Sequence, residues 1–92
     1  MIRIEYEPRH MRSAAYDEDK NIGEATYNEV DGVWVLDHTG VDPEYGGQGI
    51  AKKLVAKLAD AARKADLKIV PLCPFARKEF EEKPEYNDIW AK

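Results

Sequence analysis

The chain has 92 residues, of which 43% are hydrophobic and 35% charged, and its formal net charge is −4. This length and composition predict one compact domain over residues 1–92 with a thin core, because a domain of this size buries only roughly 60–65% of its unfolded surface. The negative charge argues against broad binding to nucleic acids or anionic membranes, but it is compatible with a local cationic cluster that holds a small anion.

The first half of the chain is typical of antiparallel sheet. Ile2, Ile4 and Tyr6 alternate with charged residues until Pro8 interrupts the strand. A second extended run, MRSAAYD, ends in a polar cluster that favours a turn. Next, Asp31-Gly32 separates two β-rich segments, and this dipeptide predicts a hairpin because a type I′ turn needs positive φ at both positions.

The second half changes to a helical period. Between Gly49 and Ala65 the apolar residues recur every three or four positions, while lysines and an aspartate occupy most of the remainder. This spacing predicts an amphipathic helix with its apolar stripe at Ile50, Leu54, Leu58, Ala61, Ala62 and Ala65.

A short apolar segment, LKIVPLC, then favours a buried strand in which Pro71 marks a bulge or the end of pairing. A second helix is predicted to begin at Pro74, and the tail is expected to pack back through Tyr86, Ile89 and Trp90. The helix between the fourth and fifth strands is a crossover, so these two strands should lie parallel and adjacent. We therefore predict an α+β fold whose sheet is mostly antiparallel with one parallel pair.

The loop VDPEYGGQGI is the first segment that indicates chemistry. It joins a strand to the long helix, and the first amides of a helix lack internal partners, so they form a ready site for an anion. Lys52 and Lys53 add positive charge to a first turn that by itself favours acidic residues. The spacing matches neither a dinucleotide fingerprint nor a nucleoside-triphosphate loop, which leaves another phosphate ligand or a plain flexible turn.

This loop resembles the acyl-CoA-binding motif of the GNAT superfamily of N-acetyltransferases, Q/R-x-x-G-x-G/A. Gly49 and Ala51 match its fourth and sixth positions, whereas Gly46 stands where Arg or Gln is usual. The stretches LDHTG and PLCPF are also similar to a very short, single-domain GNAT-like subfamily that carries His-Thr before the loop and Pro-Leu-Cys before the last helix. The likeness extends over roughly residues 22–90 and implies a minimal GNAT-like fold without the usual early helices.

The resemblance implies a set of residues that bind acetyl-CoA. Thr39 and Val41 would line the pantetheine arm. The phosphates would lie against Gly46, Gly47, Gly49, Ile50, Ala51 and Lys52.

Two residues are candidates for the chemistry of acyl transfer. Cys73 ends the fifth strand beside the implied thioester and precedes a helix whose amino end favours a thiolate, so it would accept the acetyl group or protonate the leaving thiol; the alternative is a buried structural cysteine. His38 suits proton transfer and could form a dyad with Cys73, or else only hold the strand end. Tyr45 and Tyr86 are interpreted as packing residues. The cysteine and histidine positions predict no metal site.

The resemblance implies an acetyl-CoA-dependent N-acetyltransferase that acts on an amine, directly or through Cys73. Because the early helices are missing, we expect an open acceptor side that suits a bulky amine such as a protein amine or a polyamine. The alternatives are a non-catalytic CoA-binding sensor or interaction module, and a structural adaptor that docks through Tyr86–Trp90. The single cysteine and the lack of an apolar amino-terminal run further predict a cytoplasmic protein. The negative charge and the lack of a run of ~20 apolar residues predict no nucleic-acid or membrane partner.

Overall fold

The computed structural model describes all residues from 1 to 92 and shows a five-stranded sheet with two α-helices. The strands are β1 (Ile2–Glu7), β2 (Arg12–Asp17), β3 (Lys20–Val30), β4 (Val33–Val41) and β5 (Ile69–Pro71), and the helices are α1 (Ile50–Lys64) and α2 (Pro74–Glu82). Short 3₁₀ turns cover Pro8–His10, Pro43–Tyr45 and Pro84–Ile89. No helix has both the length and the apolar character needed to cross a bilayer.

The sheet has the order β1-β2-β3-β4-β5, with antiparallel pairs up to β4 and a parallel pair at β4 and β5. This topology confirms the predicted fold class. The hairpin between β3 and β4 turns at Asp31 and Gly32, both with positive φ, so the predicted turn is also confirmed. Only a 3₁₀ turn separates β1 from β2, so the early helices are absent as expected.

One face of the sheet is covered by α1, and the core continues from there to α2 and the carboxyl-terminal segment. Ser13 in β2 donates a buried hydrogen bond of 2.8 Å to the carbonyl of Leu54, which ties the helix to the strands. The buried residues of α1 are Ile50, Leu54, Val55, Leu58, Ala59 and Ala62.

The apolar stripe of α1 therefore differs from the predicted one. Val55 and Ala59 are buried, whereas Ala61 is only half-buried and Ala65 is exposed. Ala65 is the residue that caps the helix and lies past its last packed turn, so its apolar side chain does not reach the core.

Residues near the carboxyl terminus complete the core as predicted. Tyr86 and Ile89 are buried, and Trp90 is half-buried with its ring edge against Phe80. The amide of Ala91 donates to the carbonyl of Ile69 at 2.8 Å. The tail therefore lies along the outer edge of β5.

Candidate functional site

The glycine loop leads from the end of β4 into α1. Its first part is ordered by the Asp42 side chain, which accepts a hydrogen bond of 3.0 Å from the amide of Glu44. Its second part contains Gly47 with φ +80° and Gly49 with φ +73°, a region that favours glycine. A Cβ atom added to either glycine would meet nothing within 4 Å, so the space in front of the loop is open.

The backbone amides of this loop are unpaired over a continuous stretch. The amide of Gly46 donates to the Pro43 carbonyl and that of Lys53 to the Gly49 carbonyl, but the amides of residues 47–52 between them donate to no group of the protein. Alternating backbone conformations at successive amides form a concave nest for anions, and the amino end of α1 adds its dipole. The loop can therefore hold a phosphate or diphosphate by its backbone.

A pocket of about 210 Å³ opens in front of these amides. Lys52 is exposed at its edge and forms no ion pair, so its charge is available to an anion. Thr39 is not part of this lining. The pocket is lined by Val41, Tyr45, Gly46, Gly47, Gly49, Ile50, Ala51, Lys52 and Phe75.

The structure thus brings together all of the predicted cofactor-binding residues except Thr39. Tyr45 and Phe75 are additional lining residues that the sequence analysis did not assign to the site. Tyr45 directly precedes the glycines, and Phe75 stands in the first turn of α2 beside Cys73, so nearness in sequence was the signal that could have identified them.

Next to this pocket, β4 and β5 separate. Their pairing ends at Leu36 and Pro71, and the carbonyl of Leu36 accepts hydrogen bonds of 3.0 Å from the amides of both Leu72 and Cys73. Proline lacks an amide hydrogen and cannot continue the ladder, so the chain leaves β4 at this point as the sequence predicted. The remainder of β4 up to Val41 has no strand on this side, which leaves an open edge.

Cys73 lies at this edge, where it caps α2. Its side chain is 7% exposed, and its thiol donates to the hydroxyl of Thr39 with a sulfur–oxygen distance of 3.6 Å. Thr39 pairs with the buried Ala25, so both Thr39 and Cys73 face the helices. The thiol is therefore placed between the open edge of β4 and the amino end of α2.

His38 lies on the other face of the sheet. It pairs with Thr26, and its Nε2 atom would be 3.0 Å from a Cβ added to Gly40 on the same face. No hydrogen bond joins His38 to Cys73, whose thiol bonds to Thr39 instead. The proposed dyad is therefore not formed in this structure, because neighbouring residues of a strand point to opposite faces.

The glycine loop is anchored at its start by a hydrogen bond that the sequence did not reveal. The hydroxyl of Tyr45 donates to Asp17 at the end of β2, with an oxygen–oxygen distance of 2.5 Å. This bond lowers the pKa of the Asp17 carboxyl and is the main cause that raises the pKa of Tyr45 to about 12. The residue before the glycines is therefore held to the strand layer rather than only packed against it.

The sequence also matches a known family. Residues 12–89 match the family described as GCN5-related N-acetyl-transferase. The chain belongs to this family. It is therefore an acetyltransferase of the GNAT type, and acetyltransferases of this type use acetyl-CoA as their co-substrate.

Solved structures agree with this assignment. The NMR structure of a GCN5-like protein from Staphylococcus aureus is 35% identical with a TM-score of 0.76, and the likeness covers 97% of this chain and 87% of that one. A ribosomal-protein-alanine N-acetyltransferase from Brucella melitensis biovar Abortus 2308 is 25% identical with a TM-score of 0.60, over 88% of this chain and 61% of that one. Among curated proteins no sequence gives a significant match.

Proposed function

We propose that this protein binds acetyl-CoA at the glycine loop and transfers its acetyl group to an amine. The observation that carries the proposal is the run of unpaired amides at residues 47–52, which opens onto a pocket beside the edge where β4 and β5 separate. Acetyl-CoA supplies an activated acyl group on a thioester, together with a diphosphate that an anion-binding loop can hold.

The residues present fit such a group. The amides of residues 47–52 would bind the diphosphate, with Lys52 as a cationic neighbour. Val41, Tyr45 and Phe75 provide apolar walls for a flexible arm. Beyond them, the unpaired edge of β4 from His38 to Val41 offers backbone groups along which that arm can hydrogen-bond.

The chemistry that this chain would contribute centres on Cys73. Its thiol lies at the point where β5 departs, within hydrogen-bonding distance of Thr39 and at the amino end of α2. In this position the thiol would either give its proton to the departing CoA thiolate while the amine attacks the thioester, or, as a thiolate, displace the CoA thiolate and form an acetylated Cys73 that the amine then attacks, which frees the Cys73 thiolate again. Both roles require the same placement, and they differ in whether an acetylated Cys73 forms.

The proposal is tested in two steps. In the first, ¹⁵N-labelled protein is titrated with coenzyme A, and we expect the amide signals of residues 47–52 to shift more than any others. Undisturbed signals there would refute the binding site. In the second, the protein is incubated with acetyl-CoA and a mixture of primary amines, and the products are followed by mass spectrometry.

The second step separates the possible outcomes. Acetylated amines support the transferase, and an acetyl adduct on Cys73 in the absence of amines identifies the covalent route. Binding of coenzyme A without any transfer would instead indicate a CoA-binding module. That outcome would agree with Gly46, which stands where the family motif usually has a side chain that reaches the cofactor.

A further inference from the structure

A β-bulge interrupts the pairing of β3 with β4 next to the proposed site. Thr26 pairs with His38 and Tyr27 pairs with Leu36, so Asp37 is an extra residue of β4 without a partner on β3. Bulges redirect side chains and are frequent beside active sites. This bulge lies at the point where β4 and β5 separate, because Asp37 directly follows Leu36, whose carbonyl accepts the last hydrogen bonds from the chain that leaves β5.

The carboxylate of Asp37 is held in one orientation by neutral groups. The Thr26 hydroxyl donates to its Oδ1 at 2.6 Å, and the Asn28 side-chain amide donates to its Oδ2 at 2.9 Å. By contrast, Glu24 on the same strand as these donors is neutralised by Arg12 at 2.8 Å. Asp37 is therefore an exposed, oriented carboxylate whose negative charge has no cationic partner.

This carboxylate lies on the face of the sheet opposite the cofactor pocket. Its donors, Thr26 and Asn28, alternate along β3 with the buried residues Ala25 and Tyr27, so they point away from α1. His38 shares this face. A substrate that approaches the separation of β4 and β5 from the side not occupied by the helices would meet Asp37 and His38 first.

We propose that Asp37 binds the ammonium group of the acceptor and selects for cationic alkylamines, either a lysine side chain or a polyamine. This inference rests on the proposed acetyl transfer to an amine. An alkylamine with a pKa near ~10.4 arrives at neutral pH as a cation, and an unpaired, oriented carboxylate stabilises that cation by a charge-assisted hydrogen bond. Asp37 therefore acts in binding, and the amine that reacts releases its ammonium proton to solvent before its nitrogen attacks the thioester. Asp37 is thus a specificity-determining residue, and Thr26 and Asn28 are the residues that position it.

The test is an NMR titration that does not depend on turnover. Protein saturated with coenzyme A is titrated in parallel with spermidine and with Nα-acetyl-lysine methylamide, whose side-chain amine is free. We expect the amide signals of residues 26, 28, 37 and 38 to shift with at least one of the two ligands. The ligand with the larger effect distinguishes the polyamine from the lysine source. If neither ligand perturbs these amides in the wild-type protein, the proposal is wrong.

Variants identify the carboxylate itself. Asp37→Asn keeps the shape but removes the charge, and we expect its affinity for the amine to fall about tenfold or more while its affinity for coenzyme A is unchanged. Glu29→Gln is the matched control, since Glu29 is an exposed carboxylate on β3 that pairs with Trp34, away from the separation of the strands. Equal amine affinity in Asp37→Asn and Glu29→Gln would overturn the proposal.

A second variant tests the positioning role. Thr26→Val keeps the charge of Asp37 but removes one of the two donors that fix it, so we expect a smaller loss of amine affinity than in Asp37→Asn. A loss as large as that of Asp37→Asn would assign the effect to the strand instead of the carboxylate. Failure of coenzyme A to shift residues 47–52 would refute the proposed function separately, because the amine titration reads a different set of amides.

Discussion

The two halves of β4 show how one strand can serve both as scaffold and as site. From Trp34 to Leu36 the strand is paired on both sides, and Trp34 and Leu36 are buried. From His38 to Val41 it is paired only with β3, Asp37 has no partner on either side, and Asp37 and His38 are exposed. The change takes place at one residue, Leu36, where Pro71 ends the parallel ladder.

The turns at the two ends of β4 differ in the same way. Gly32 and Gly49 both have positive φ, at +79° and +73°. The turn at Gly32 closes directly onto the pair Val30 and Val33, so its conformation serves strand pairing. The turn at Gly49 leaves the amides of residues 47–52 without partners. The same conformational freedom therefore builds the fold at one end and presents hydrogen-bond donors at the other.

Substitution of the two glycines should give the largest contrast. A β-branched residue at positive φ costs on the order of 1–3 kcal/mol of stability at either position. We expect Gly49→Val also to lower the affinity for coenzyme A roughly a thousandfold, since two charge-assisted hydrogen bonds of about 2 kcal/mol each are lost. Urea unfolding and calorimetric titration measure the two effects.

Gly32→Val is the matched control for this experiment. It should lose similar stability and retain its affinity for coenzyme A, because Gly32 lies at the far end of β4. An equal loss of affinity in both variants would show that strain in the fold, and not the exposed amides, governs binding.

Removal of the Cys73 thiol should lower the rate of transfer without weakening the binding of coenzyme A. We expect Cys73→Ala to lower kcat about a hundredfold or more, as is typical for the loss of an acid–base or nucleophilic group, and to leave the affinity for coenzyme A nearly unchanged. Thr39→Val removes only the partner of the thiol and should reduce kcat less. Normal turnover in Cys73→Ala would make this cysteine a structural residue of the core.

Much of the fold could be predicted from the sequence. The hairpin at Asp31-Gly32, the start of α2 at Pro74 and the end of pairing at Pro71 follow from local backbone preferences. The parallel neighbours β4 and β5 follow from the crossover through α1. In the first three cases a local signal within a few residues determines the structure.

The site could be predicted only where its residues are continuous in sequence. The glycine loop is one such segment, and its residues do line one pocket. The bulge at Asp37 is a property of the register between two strands, which the sequence VLDHT does not encode locally. For the same reason the sequence left a dyad of Cys73 with His38 open, whereas in the structure it is Thr39 that contacts the thiol.

The charge at the amino end of α1 should have an intermediate effect. We expect Lys52→Gln to weaken coenzyme A binding about tenfold, the contribution typical of one charge-assisted hydrogen bond, and to reduce the dependence of binding on salt. Lys57→Gln, farther along the same helix and outside the pocket lining, should change neither. Equal effects of the two substitutions would indicate that the overall charge of the helix, and not the charge of Lys52 at its amino end, attracts the cofactor.

The hydrogen bond that anchors the loop should have the smallest effect, because it orders the loop without contacting the cofactor phosphates. Tyr45→Phe removes the bond to Asp17, so we expect a loss in coenzyme A affinity of only a few-fold and faster hydrogen exchange at the loop amides. Unchanged exchange would show that Tyr45 does not anchor the loop.

The pH dependence of this bond follows from both partners. The pKa of Asp17 is lowered in the folded protein, so its contribution to stability is present above the unfolded pKa of ~3.9 and is lost as pH falls through the lowered value. The pKa of Tyr45 is raised to about 12, so its contribution is present below the unfolded pKa of ~10 and is lost as pH rises toward 12. The stability difference between wild type and Tyr45→Phe should therefore be constant near neutral pH and shrink at both extremes. A difference that persisted unchanged in acid would mean that the Tyr45 hydroxyl stabilises the protein independently of the charge on Asp17.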